Sequence, residues 1–93
     1  MNSSYTKMLI GENEFKENSG FDEKTYQLVA LAASEGIKCK YCILAHNALT
    51  KGARATDEEI KTVAMMAGIV ALNSSILYTN QHDMDELKKM FSK

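Results

Sequence analysis

The chain has 93 residues, 45% of them hydrophobic, with 11 Lys and Arg against 12 Asp and Glu and a formal net charge of −1. This length predicts one domain over residues 1–93. The charge is near neutral and no stripe of basic residues with aromatic residues between them occurs, which argues against nucleic-acid binding. The N-terminal residues lack the long apolar segment of a secretory signal, so we predict a cytoplasmic protein.

Residues 1–20 mix a short apolar patch, Met8 to Ile10 with Phe15, into polar residues that end at Gly20. We predict an N-terminal arm or short helix that packs these apolar side chains on the body, followed by a turn. Asp22 is a candidate N-cap for the next helix.

That helix is predicted to run to about Ser34, with Gly36 as its C-cap. Its apolar residues recur at helical spacing and predict the face that packs on the core. The stripe consists of Tyr26, Val29, Ala30 and Ala33, widened by Leu28, Leu31 and Ala32.

The second helix is predicted to begin near Cys39 and to stop at Lys51–Gly52. Thr56 and Glu59 form a capping-box pattern that opens a third helix reaching about Tyr78, and Asp83 opens a short last helix. With no proline and no alternating strand pattern, the chain is predicted to be all-α.

The third helix contains the longest uncharged run, residues 62–81, which is apolar on nearly every side between Val63 and Leu72. Polar residues interrupt it, so we predict a buried helix and no membrane contact. At Gly68 a neighbouring helix could approach closely. A chain this short has little core of its own for such a helix, which predicts a homo-oligomer.

Both cysteines and one of the two histidines stand in the pattern Cys39-x-x-Cys42-x-x-x-His46. In a helix starting near Cys39, Cys42 and His46 are i and i+4 neighbours on one face. His46 could take the proton of the Cys42 thiol, and the N–H groups at the helix start would stabilise the anion. Cys39 could then close a short disulfide with Cys42. The pattern therefore favours thiol redox chemistry.

This motif, with the Ala-rich segment at 28–33 before it and Gly52-Ala53 and residues 56–60 after it, resembles the carboxymuconolactone decarboxylase/alkylhydroperoxidase D-like family over about residues 22–72. The resemblance implies a small helical bundle assembled as a trimer or hexamer. In the peroxidase members the second cysteine becomes the sulfenic acid, the first resolves it, and the histidine belongs to a proton relay. Those roles would fall on Cys42, Cys39 and His46.

The relay of the peroxidase members also includes a glutamate twelve residues before the first cysteine, where this chain has Gln27. A glutamine can orient a neighbour but cannot accept a proton at neutral pH. Glu35, near the cysteines, is kept as a second candidate relay residue, and Tyr41 could shield the thiols, although packing is the favoured role for its ring.

The sequence therefore predicts a thiol peroxidase or disulfide oxidoreductase of the antioxidant type, acting on a peroxide or disulfide and reduced by a dithiol, with no cofactor and no metal. Two alternatives stay open. One is a lactone decarboxylase, for which Arg54 is the only arginine available. The other is a non-catalytic module held by a metal bound to the two cysteines, His46 and His82.

Overall fold

The structure, a computed structural model, describes residues 3–92, and these form helices and no strand, which confirms the all-α prediction. Five helices follow one another along the described chain. They are α1 (Ser3–Glu17), α2 (Glu23–Gly36), α3 (Lys40–Gly52), α4 (Asp57–Thr79) and α5 (Met84–Phe91).

The first helix differs from the predicted arm or short helix, because α1 continues for 15 residues. Residues 1 and 2 of the predicted arm lie outside the described residues. Met8, Ile10 and Phe15 are 53%, 57% and 69% exposed, so the prediction that they pack on the body is wrong. Leu9, the remaining member of the patch, is half-buried and lines a cavity with residues of α2 and α3. An ion pair instead ties the end of α1 to α2, with 3.0 Å between Lys16 Nζ and Glu23 Oε2.

The predicted helix starts are confirmed, each by hydrogen bonds that a capping side chain accepts from the backbone. Asp22 Oδ1 accepts from Thr25 N at 2.7 Å, and Asp83 Oδ1 accepts from Asp85 N at 2.7 Å. The capping box of α4 is complete: Thr56 Oγ1 accepts from Glu59 N at 3.1 Å, and Glu59 Oε1 accepts from Thr56 N at 2.8 Å. These bonds use backbone donors that a helix start leaves without partners.

The ends of α2, α3 and α4 share one geometry in which a residue other than glycine is left-handed. Lys38, Arg54 and Gln81 have φ values of 61°, 68° and 49°. After α2, Cys39 N donates to Ser34 O and Lys38 N donates to Glu35 O, the paired bonds of a Schellman motif. Gly36 is therefore the last residue of α2 and not its C-cap, which is Ile37.

Helix α2 is central, packing against both α3 and α4. Its buried residues are Gln27, Leu31 and Ser34, and of these only Leu31 belongs to the predicted apolar stripe. Val29 is 50% exposed and Ala33 is exposed as well, so the predicted core face is confirmed at Leu31 and wrong at Val29 and Ala33. The polar members of the buried row can turn inward because each makes a hydrogen bond, such as Ser34 Oγ to Ala30 O at 2.7 Å.

Helix α4 is long and apolar but has no buried residue, so the prediction of a buried helix is wrong for the single chain. By length and composition it could also cross a membrane, a property that core helices of soluble proteins share. Gly68 has no side chain or backbone of a neighbouring helix close to it. The Cα radius of gyration is 16.7 Å, against about 12 Å for a compact domain of this length. One chain alone leaves this apolar surface uncovered.

Candidate functional site

The two cysteines lie at the N-terminal end of α3, as predicted. Cys39 is the N-cap residue and Cys42 lies in the first turn, with 5.3 Å between their Cα atoms. The two residues form a disulfide, and both are half-buried. Both residues therefore keep part of their surface in contact with solvent.

Cys39 Sγ takes the place that an oxygen occupies in an ordinary N-cap. It accepts a hydrogen bond from Cys42 N at 3.3 Å. When the disulfide is reduced, this N–H and the positive end of the helix dipole favour negative charge on Cys39. Cys42, one turn before His46 on α3, instead has a base on its own face of the helix.

His46 is held from α2 by the residue at the predicted relay position. Its Nδ1 lies 2.9 Å from Gln27 Oε1, and the Gln27 residue is only 4% exposed. Two residues that are 19 positions apart in the sequence thus meet where α2 packs on α3. The packing of these two helices determines the orientation of the imidazole ring.

The hydrogen bonds continue past Gln27 to a residue that the sequence analysis did not select. Gln27 Nε2 donates to Glu23 Oε1 at 3.2 Å, and Glu23 is paired with Lys16. The hydrogen bonds from Lys16 and then from Gln27 hold the pKa of the Glu23 carboxyl below its usual value. The i, i+4 spacing of Glu23 and Gln27 on a predicted helix was the available signal.

A cavity of about 260 Å³ lies beside this group of residues, between α1, α2 and α3. Its walls mix apolar side chains with the polar atoms of His46 and Gln27, and neither cysteine is part of them. The lining residues are Leu9, Glu12, Asn13, Lys16, Tyr26, Gln27, Ala30, His46 and Leu49. His46 and Gln27 therefore share this cavity with residues of α1.

Glu35, the second candidate relay residue, and Tyr41 do not join this group. Glu35, near the end of α2, is half-buried, and its Oε2 has no hydrogen-bond partner among residues 3–92. Tyr41 is 77% exposed, with Lys40 Nζ 5.6 Å from its ring centroid. The favoured packing role of Tyr41 is therefore wrong for the single chain.

Residues invoked by the alternative functions lie elsewhere. Arg54 follows the opposite end of α3 from the cysteines, and His82 lies in the connection between α4 and α5. Lys16, the cation that lines the cavity, is already paired with Glu23. Within residues 3–92, no group of three or more His, Cys, Asp or Glu side chains is arranged to hold a metal ion.

A comparison with protein-family models matches residues 6–79 to the carboxymuconolactone decarboxylase family. The match begins in α1 and ends with α4, so it is wider than the segment from which the resemblance was identified. No curated protein and no solved structure matched the chain.

Proposed function

The chain belongs to the carboxymuconolactone decarboxylase family, and we propose that it is a thiol-dependent oxidoreductase that acts through Cys42, Cys39 and His46. The observation that carries this proposal is the disulfide at the start of α3, one turn before a histidine held by a buried glutamine. The arrangement supplies two thiols that can exchange with a disulfide and a base that can form the reacting thiolate.

In the oxidative step, His46 takes the proton of the Cys42 thiol, and the thiolate attacks the terminal oxygen of a hydroperoxide. The O–O bond breaks, Cys42 becomes a sulfenic acid, and the other oxygen leaves as an alcohol or water after protonation. Cys39 then attacks the Cys42 sulfur, which releases water and forms the Cys39–Cys42 disulfide. The peroxide is reduced by two electrons, and the thiol pair is oxidised by two.

A dithiol donor restores the enzyme in two exchange reactions. Its first thiolate attacks one sulfur of the half-buried disulfide, and its second thiol resolves the mixed disulfide. The same sites would also let the protein act as a disulfide oxidoreductase without any peroxide. We propose a cytoplasmic location, where such thiol pairs are kept reduced and available.

We also propose that α4 is covered by other copies of the chain, in a trimer or hexamer as the family resemblance implies. One face of α4 forms an open apolar groove, and Met65 and Ile69 within it are 64% and 50% exposed. Apolar patches of this kind mark interfaces in soluble proteins. Sedimentation of the purified protein without detergent tests the proposal, and a monomer, or a protein soluble only with detergent, would contradict it.

The direct test of the reaction is the rate of thiol loss after hydrogen peroxide or an organic hydroperoxide is added to the reduced protein. Cys42→Ser should remove the fast phase, and His46→Ala should slow it by roughly 10²-fold, the lower end for loss of a general base. Cys39→Ser should let a sulfenic acid accumulate on Cys42, which a sulfenic-acid trap detects. His82→Ala is the matched control, because His82 lies between α4 and α5 and should leave the rate unchanged.

Oxidation no faster than that of a free thiol would contradict the peroxide reaction. Reduction of the disulfide by a dithiol would then be measured with the same variants. If Cys39→Ser and Cys42→Ser left turnover intact in both assays, the thiol mechanism would be wrong.

A further inference from the structure

Two hydrogen bonds around Gln27 determine which nitrogen of His46 carries the proton. Gln27 Nε2 lies 3.2 Å from Glu23 Oε1. An ionised carboxylate can only accept hydrogen bonds, so it requires the amide nitrogen of Gln27 on its side. The amide oxygen then faces α3.

The amide oxygen in turn selects the form of the imidazole. Gln27 Oε1 lies 2.9 Å from His46 Nδ1 and can only accept, so Nδ1 must be the protonated nitrogen. The other nitrogen, Nε2, is left with a free lone pair. It is the atom of neutral His46 that can take a proton from Cys42.

We propose that Glu23 is a positioning residue for this site: through Gln27 it holds His46 in the tautomer protonated at Nδ1, so that Nε2 is available as the base. This inference deepens the proposed function and rests on it for its chemical meaning. When the Cys42 proton moves to Nε2, His46 becomes an imidazolium that still donates from Nδ1 to Gln27. The ionised Glu23 behind Gln27 stabilises that positive charge.

The ion pair with α1 supports the ionised state of Glu23. Lys16 Nζ lies 3.0 Å from Glu23 Oε2, while Glu23 Oε1 accepts from Gln27, so each carboxylate oxygen has its own partner. The low pKa of Glu23 agrees with a carboxylate that is charged at neutral pH. Glu23, one turn before position 27, therefore supplies the carboxylate that Gln27 lacks. The Gln27 amide between Glu23 and His46 orients the imidazole ring and does not transfer a proton.

The tautomer of His46 can be measured without any substrate, by long-range ¹H–¹⁵N correlation spectra of the reduced, ¹⁵N-labelled protein. The wild type should show the form protonated at Nδ1. Glu23→Ala should shift His46 toward the form protonated at Nε2, because the Gln27 amide can then turn over. Lys16→Met keeps Glu23 in place and should retain the wild-type tautomer.

Glu58→Ala is the matched control, since it also removes an exposed carboxylate from the first turn of a helix. The second readout is the pH profile of Cys42 alkylation by iodoacetamide in a Cys39→Ser background. Glu23→Ala should lower the rate at pH 7 by about tenfold. This is far less than the roughly 10⁴-fold loss caused by a wrong histidine tautomer in serine proteases, because the Glu23 side chain is 49% exposed.

Gln27→Glu gives a further test, because it places a second carboxylate against Glu23. The two like charges repel, so one carboxyl should ionise at a higher pH than usual and add a step to the alkylation profile. Glu23→Gln combined with Gln27→Glu should remove that step.

Protonation of His46 at Nε2 in the wild type, or an unchanged tautomer in Glu23→Ala, would overturn the assignment. An equal shift in Lys16→Met would overturn it too, because the contact with α1 would then be the cause. Slow peroxide or dithiol turnover with the expected tautomers would count against the proposed function alone.

Discussion

The α2–α3 pair and α4 differ in which side chains they bury. Where α2 meets α3, the buried residues are mostly polar, and Gln27 and Ser34 are each 4% exposed with their hydrogen bonds made. Helix α4 is the more apolar element, yet none of its residues is buried. In this chain, apolar composition therefore does not identify the covered region.

The difference shows where each region obtains its stability. Buried polar groups are costly unless they are bonded, so the α2–α3 contact is specific and sets the position of His46. Helix α4 packs on α2, but no residue of α4 is buried by that contact, so the contact gives its apolar side chains no such specificity within one chain. We expect α4 to gain its burial from assembly, whereas the candidate site is formed by α2 and α3 of one chain.

The largest expected effect is on the unfolding free energy, and its dependence on protein concentration should differ between the two regions. Leu31 is 1% exposed, so Leu31→Ala should lower the unfolding free energy by about 2–5 kcal/mol at every concentration. Ile69→Ala, on α4, should act mainly by weakening the assembly, so its effect should depend on concentration. Urea unfolding at several protein concentrations, with sedimentation, measures both.

If Ile69→Ala destabilised the protein as much as Leu31→Ala at the lowest concentration, where subunits are dissociated, α4 would be packed within the single chain. The contrast between the regions would then be wrong.

A smaller effect concerns the turn that joins α2 to the cysteines. A residue other than glycine in the left-handed region costs about 1–2 kcal/mol, and Lys38 has φ of 61° just before Cys39. Lys38→Gly should raise the unfolding free energy by up to about 1 kcal/mol, because glycine's extra freedom in the unfolded chain offsets part of the gain.

Lys61→Gly serves as the control for that change. Lys61 lies inside α4, so the substitution should lower the unfolding free energy by about 1 kcal/mol. Thermal or urea unfolding of both variants would show opposite signs, and a loss of stability in Lys38→Gly would contradict the account of the turn.

The smallest effect tests the ion pair that joins α2 to α4, in which Lys24 Nζ lies 3.0 Å from Glu59 Oε2. The hydrogen bond from Thr56 N, and then that from Lys24, lowers the pKa of Glu59 below its usual 4.5. The folded state therefore binds fewer protons than the unfolded state. This contribution is present above about pH 4.5 and is lost as the pH falls through the folded pKa.

Glu59→Gln should therefore reduce the slope of unfolding free energy against pH below about pH 4.5. Glu58→Gln removes the neighbouring carboxylate, which lacks the Thr56 and Lys24 contacts, and should leave more of the slope. Equal slopes in Glu59→Gln and the wild type would contradict a stabilising role for Glu59. Acid titrations followed by circular dichroism make the comparison.

The candidate site was predictable to the extent that it is local. The spacing of Cys39, Cys42 and His46 predicts one helix that begins at the cysteines and carries His46 one turn after Cys42, and the structure confirms that helix. Gln27 was selected as a candidate because the family resemblance puts a relay residue at its position, and the structure places Gln27 against His46. Glu23 was overlooked because a carboxylate in the first turn of a helix already has an explanation in the helix dipole.

The sequence by itself determined where α2, α3, α4 and α5 begin. Caps such as Asp22 and Thr56 act on backbone groups three residues away, so nearby residues specify them. Only the tertiary structure decided that Gln27 and Ser34 face the core in place of Val29 and Ala33, and that no residue of α4 is buried in one chain. Those outcomes depend on which surface a neighbouring helix offers, and helical periodicity does not contain that information.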